Sequence, residues 1–140
     1  MGNFLRFLLF LPLLTSCGSN EVSSHQRHEY SEIIDYHISY LDVFNQPHET
    51  YYVYYYQVNC YHCHGIKSKV IEYAIHSSIP FYFVKIEKDE GFLSHSKEET
   101  IGATDPYYAF SMMTPQLSLV YNQSIKETYI GMDEVLNIIE

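Results

Sequence analysis

The chain has 140 residues, room for one domain and a short N-terminal address. Apolar residues make up 46% of it, with 15 Tyr, 8 Phe and no Trp, which is too rich in core-forming side chains for a disordered protein. The formal net charge of −9 argues against nucleic acid and against an anionic lipid surface as electrostatic partners, and reads as solubility.

Met1 to Ser16 has the layout of an export signal. A short start carries Arg6, and the apolar run Phe7-Leu8-Leu9-Phe10-Leu11-Pro12-Leu13-Leu14 follows. A membrane-spanning helix takes about 20 residues, so this run is too short to be one. It ends in Leu14-Thr15-Ser16-Cys17. That tetrapeptide resembles the lipobox of bacterial lipoproteins, in which a Leu and two small residues precede a Cys. The resemblance implies that residues 1–16 are removed, that Cys17 is the lipidation site, and that the mature protein is extracytoplasmic and lipid-anchored. Several acyl chains hold far better than one, at about 0.8 kcal/mol per buried methylene. Residues 17–29 are polar apart from Val22 and are expected to form a flexible tether.

Tyr30 to Phe44 places Ile33, Ile34, His37, Ile38, Leu41 and Phe44 at helical spacing, which predicts an amphipathic helix ended by Asn45-Gln46-Pro47-His48. Tyr51 to Val58 is dense in Tyr and Val without Gly or Pro and reads as a buried strand. Cys60-Tyr61-His62-Cys63 comes next, and helical period returns from His64 to Ser77 through Ile66, Val70, Ile71, Ala74 and Ile75. Pro80 to Glu87 is a second strand. Lys88 to Met113 is the least regular stretch, with one short helix and a loop around Gly102-Ala103-Thr104-Asp105-Pro106. Its acid pair Glu98-Glu99 reads as a solvated helix face. Gln116 to Tyr121 and Ile125 to Ile130 form a hairpin through Asn122-Gln123-Ser124. Gly131 breaks the second strand, and Met132 to Glu140 closes the chain as a helix.

The cysteine count bears on function. With Cys17 acylated, Cys60 and Cys63 remain as a pair, in a compartment that permits disulfides. A ring this small adds little stability by constraining the unfolded chain, so the spacing favours exchange chemistry over bracing. A Cys at a helix start faces unpaired N–H groups and the positive end of the helix dipole, which favour the thiolate.

From Tyr30 to Glu140 the element order resembles the thioredoxin superfamily: helix, strand, Cys-pair helix, strand, variable segment, Pro, hairpin, helix. Three landmarks carry the resemblance. Cys60-Tyr61-His62-Cys63 lies between strand and helix, Thr114-Pro115 stands directly before the hairpin, and Gly131 separates the last strand from the last helix. It implies an α/β, three-layer domain over 30–140, with a central mixed sheet flanked by helices. It implies a thiol–disulfide oxidoreductase in which Cys60 attacks and Cys63 resolves. Thr114 and a cis Pro115 would receive the substrate peptide, and His62 would tune the thiol. No bound cofactor and no metal is expected. Expected partners are exported proteins and a membrane electron donor or acceptor, with the chain a monomer. Two departures concern redox direction. Tyr54 stands where thioredoxin keeps a buried Asp, which leaves the proton shuttle unassigned, and Asn59 replaces the Trp before the pair. A reductase or isomerase is the favoured direction.

Other functions fit parts of the same segment. Cys60-Tyr61-His62-Cys63-His64 matches the c-type haem attachment pattern, with His64 as proximal ligand and Met112 or Met113 as distal ligand. The two thiols with His62 or His64 would suit copper or zinc. An inert disulfide in a partner-binding lipoprotein is a further reading. His25, His28, His37, His48, His76 and His95 are scattered and read as surface or partly buried residues.

Overall fold

A computed structural model describes residues 27–87 and 95–140. The lipobox-like residues 14–17 and most of the expected tether lie outside the described residues. Four strands form one sheet in the order β2-β1-β3-β4: β1 is Thr50–Tyr56, β2 Phe81–Lys85, β3 Gln116–Tyr121 and β4 Ser124–Ile130. β1 runs parallel to β2 and antiparallel to β3, and β3 is antiparallel to β4. The helices are α1, Tyr61–His76, α2, Lys97–Thr100, and α3, Met132–Ile139. No helix among the described residues is long and apolar enough to cross a membrane.

β1 is the central strand, and its side chains alternate between two cores as strand geometry requires. Tyr52, Tyr54 and Tyr56 face α1 and α3, packing with Ile66, Val70, Ile71, Val135, Phe81, Phe83 and Leu117. Tyr51, Val53 and Tyr55 face the other way, onto Val43, Phe44, Val84, Phe110, Val120 and Ile125. Both faces are covered, which is why this strand reads as an unbroken run of large side chains. The protein therefore has an α/β fold, a mixed sheet flanked by helices, the architecture the resemblance implies.

The predicted helix over 30–44 is not there. Two short 3-10 turns, Tyr30–Tyr36 and Tyr40–Asp42, replace it. Between them the chain extends, with His37 bridging Phe83 and the Ile38 N–H donating to the Phe83 carbonyl at 2.9 Å. The apolar residues of this stretch serve different cores: Ile33 belongs to the α1 side, Val43 and Phe44 to the opposite side. One straight helix cannot bury both sets with a sheet edge between them, so Ile34 and Leu41 are left exposed. The crossing also covers the outer edge of β2.

α1 buries Cys63, Ile66, Val70, Ile71 and Ala74, a single stripe at helical spacing. It starts at Tyr61, three residues earlier than its apolar period indicated, because Cys60 is its N-cap. The hairpin turns on Asn122 and Gln123 alone. Both have left-handed φ, 49° and 59°, as a two-residue turn of type I′ demands, so Ser124 already pairs with Tyr121.

The variable segment is docked by buried polar groups. Gln116, fully buried, accepts from the Ser111 N–H at 2.8 Å and donates to the Ala109 carbonyl at 2.8 Å and to Ser118 Oγ at 2.9 Å. Thr100 Oγ1 lies 2.7 Å from Thr128 Oγ1, tying α2 to β4. Glu98 and Glu99 are exposed as expected, and the Ser96 backbone N–H holds the Glu99 carboxyl below its usual range.

Candidate redox site at the head of the first helix

The sheet places the site. Tyr55 of β1 pairs with Gln116 of β3, so the carboxyl end of β1 and the amino end of β3 lie side by side. Cys60 leaves one and Thr114-Pro115 enters the other. Cys60 and Cys63 form a disulfide with a Cα–Cα distance of 5.2 Å. Cys60 is half-buried, and Cys63, one turn along, is 1% exposed. As N-cap, Cys60 Sγ accepts from the Cys63 N–H at 3.1 Å. No acidic residue occupies the first turn of α1, so nothing there opposes the positive end of the helix.

Thr114-Pro115 is cis, and Pro115 is buried. The Thr114 carbonyl oxygen lies 3.4 Å from Cys60 Sγ. Thr114 Oγ1 donates to Gln57 Oε1 at 3.2 Å, joining the two loops that flank the sulfur. The Gly131 N–H donates to the Pro115 carbonyl at 2.8 Å. Gly131 has φ 85°, a backbone conformation that side chains rarely adopt. The three landmarks of the sequence thus meet at one end of the sheet.

Exposed apolar side chains flank Cys60 and Thr114 in the chain, beside the polar Asn59 and His62. Val58, Tyr61, Met112 and Met113 are all exposed, Tyr61 to 85%. Met112 has φ 66°, left-handed and unusual for a side-chain-bearing residue. On the other flank, a cleft of about 390 Å³ opens among Gln57, Val58, Asn59, Lys85, Ile86 and Glu87, at the carboxyl ends of the parallel strands.

His62 is exposed with its ring edge-on to Tyr61, 5.6 Å between centroids, and no hydrogen bond ties it to either sulfur. Tyr54 is wholly buried, and burial, with the Tyr30 hydroxyl beside it, pushes its phenol well above the ordinary range. It keeps its proton near neutrality and does not replace a buried carboxylate as a base. His37, expected only on a helix face, donates from Nδ1 to the Ile33 carbonyl at 3.1 Å and accepts the Tyr56 hydroxyl at Nε2, 2.7 Å away. Burial lowers its pKa, so it is neutral in that bond.

The haem pattern does not fit the geometry. His64 Nε2 is 2.7 Å from the Val58 carbonyl, so the nitrogen an iron would take is engaged, and the sulfurs needed for thioether bonds are joined to each other. Among the described residues no group of three or more His, Cys, Asp and Glu is arranged to hold a metal ion. Sequence reasoning missed Gln57 and Gln116, both of which hold the loops at the site. Their signal was faint: an amide at the end of one apolar strand and another at the start of its neighbour.

No protein-family model matches the chain, and no curated protein matches it in sequence. Solved structures do match in shape. Thioredoxin f2 of Chlamydomonas reinhardtii superposes with a TM-score of 0.53 at 16% identity, covering 74% of this chain and 91% of that one. Thioredoxin O2 of Arabidopsis thaliana in the oxidized state aligns with a TM-score of 0.47 at 15% identity, over 80% and 93% of the two chains. Oxidised thioredoxin of Plasmodium falciparum aligns at 0.44 and 17% identity, over 82% and 90%. By its fold this chain is thioredoxin-like, with a Cys-X-X-Cys disulfide at the start of its first long helix.

Proposed function

We propose that this protein is a membrane-anchored, extracytoplasmic thiol–disulfide oxidoreductase acting on exported proteins. The observation that carries the reading is a half-buried Cys60, capping a helix and facing the Thr114 carbonyl before a cis proline, with its partner Cys63 buried behind it. In the reducing direction, Cys60 thiolate attacks one sulfur of a substrate disulfide and the other sulfur leaves as a thiolate. Cys63 thiolate then attacks Cys60 Sγ, which closes the Cys60–Cys63 disulfide and releases the second substrate thiol. A membrane dithiol donor returns two electrons and two protons to reset the pair; an oxidant of the same class runs the cycle backwards.

The exposed Val58, Tyr61, Met112 and Met113, next in the chain to the Cys60 and Thr114 segments, support a protein substrate over a small thiol, since large apolar side chains left in water there suit contact with another chain. Asn59, in place of a bulky aromatic, leaves the neighbouring cleft open to a substrate side chain. Thr114 and Pro115 would receive the substrate backbone, and Cys17 would carry the lipid.

Insulin reduction tests the reading. Cys60→Ser should be inactive, and Cys63→Ser should accumulate a mixed disulfide with substrate that dithiothreitol releases. Parental activity in Cys60→Ser would remove the nucleophile and the proposal with it. Loss of Cys17 should move the protein from membrane to soluble fractions.

A further inference from the structure

We infer that His64 is a positioning residue for Cys60, acting through the carbonyl of Val58; the inference rests on the redox reading above. The imidazole Nε2 lies 2.7 Å from the Val58 oxygen. A carbonyl only accepts, so Nε2 carries the proton and donates. The backbone N–H of the same residue donates to the Cys60 carbonyl at 3.1 Å. That second bond is the first helical bond of α1, so the imidazole reaches back to Val58 from a backbone already fixed to Cys60.

The loop needs such a grip. Val58 and Asn59 are exposed, so no packing fixes their side chains. The Cys60 N–H closes a turn on the Gln57 carbonyl at 3.2 Å. Gln57 in turn holds Thr114 through its side chain. One imidazole thus links the start of α1, the loop entering it and, through Gln57, the loop bearing the cis proline.

The clamp bears unequally on the two redox states. In the disulfide, the S–S bond itself keeps Cys60 Sγ at the helix head. In the dithiol, nothing covalent does, and the thiolate is stabilised only while Cys60 stays in its N-cap position, where the Cys63 N–H reaches it. Loss of the clamp therefore raises the Cys60 thiol pKa and makes the disulfide harder to reduce. One hydrogen bond of ordinary strength corresponds to about a fivefold change in the equilibrium, which is the ceiling for a clamp present in both redox states. For a two-electron couple, fivefold is about 20 mV.

The test equilibrates the full chain against glutathione redox buffers, with Cys60 pKa taken from the pH dependence of alkylation. His64→Leu should shift the equilibrium toward disulfide by more than about twofold and up to about fivefold, and raise the thiol pKa. His64→Gln places an amide N–H where Nε2 lies and should restore both values to within about twofold of the parent. That rescue separates the clamp from any charge on the imidazole. If circular dichroism shows His64→Leu unfolded, His64→Asn, whose amide is too short to reach Val58, takes its place. A clamp-less variant equal to the parent, or His64→Gln matching His64→Leu, would overturn the inference while leaving the redox reading standing. A parent pair that does not exchange with glutathione would overturn both.

Discussion

Two tyrosines of β1, four residues apart and facing the same core, are expected to respond in opposite directions to loss of their hydroxyls. Tyr51 donates its hydroxyl to the Val43 carbonyl at 2.7 Å in the interior. Tyr55 stacks on Phe110 with ring centroids 5.3 Å apart, and its buried hydroxyl has no hydrogen-bond partner among the described residues. Replacing either by Phe keeps the ring and its packing, so the change isolates the oxygen. At Tyr55 the hydroxyl has given up water and gained nothing, an expense of about 1–3 kcal/mol. Tyr55→Phe should therefore stabilise the fold by about 1 kcal/mol and raise Tm by about 4 °C. Tyr51→Phe removes a made bond and leaves the Val43 carbonyl unpaired, for a loss of about 1–2 kcal/mol. Urea titration of the oxidised protein followed by far-UV circular dichroism reads both, with equal m-values as the control. A Tyr55→Phe protein less stable than its parent, or one indistinguishable from Tyr51→Phe, would refute the assignment of partners in this core.

Gln116→Leu should destabilise by about 3 kcal/mol, because it strands the Ser111 N–H and the Ala109 carbonyl in the interior. Urea titration measures it, and insulin reduction should slow in parallel as the 109–115 loop loosens; a cost under about 1 kcal/mol would mean the network is not cooperative. His37 gives a pH signature. Its pKa is lowered in the folded protein by burial, so the unfolded chain takes up the proton first as pH falls. The stability it contributes is complete above the unfolded value of about 6.5 and is lost as pH drops through the folded value below it. His37→Gln should flatten that part of the stability profile, and a slope unchanged by the substitution would assign it to other groups.

The strands around the site were legible because their residues do one job each. β1 is buried on both faces and reads as a continuous Tyr/Val run, and Cys60-Tyr61-His62-Cys63 lies at its end with helical period beyond. Thr114-Pro115 and Gly131 were legible as punctuation, since proline and glycine state backbone requirements directly. The 30–44 stretch was not, because Ile33 and Phe44 sit on opposite sides of a sheet and periodicity cannot show a chain crossing an edge. Hydrogen bonds between loops were also invisible. Gln57 to Thr114 spans 57 residues, and His64 to Val58 looks in sequence like a haem ligand beside a strand end. An amide or imidazole carries no sign of which distant carbonyl or hydroxyl it meets.

Cys60 Sγ faces two groups of opposite effect, and their balance bears on the direction of the proposed cycle. The Cys63 N–H, 3.1 Å away, stabilises an anion there, helped by a helix start free of acids. The Thr114 carbonyl, 3.4 Å away, turns the negative end of its dipole toward the same atom and favours the protonated thiol, which can donate to it. In the reduced protein the N–H would favour the anion, and the carbonyl would oppose a very low thiol pKa. A thiolate held back in this way is a better nucleophile than one of very low pKa, and a poorer leaving group. Both properties favour attack on substrate disulfides by the reduced protein over donation of its own disulfide. We propose on this ground that the cycle runs in the reducing or isomerising direction; a reduction potential of the pair near that of strong oxidants, about −120 mV, would refute it.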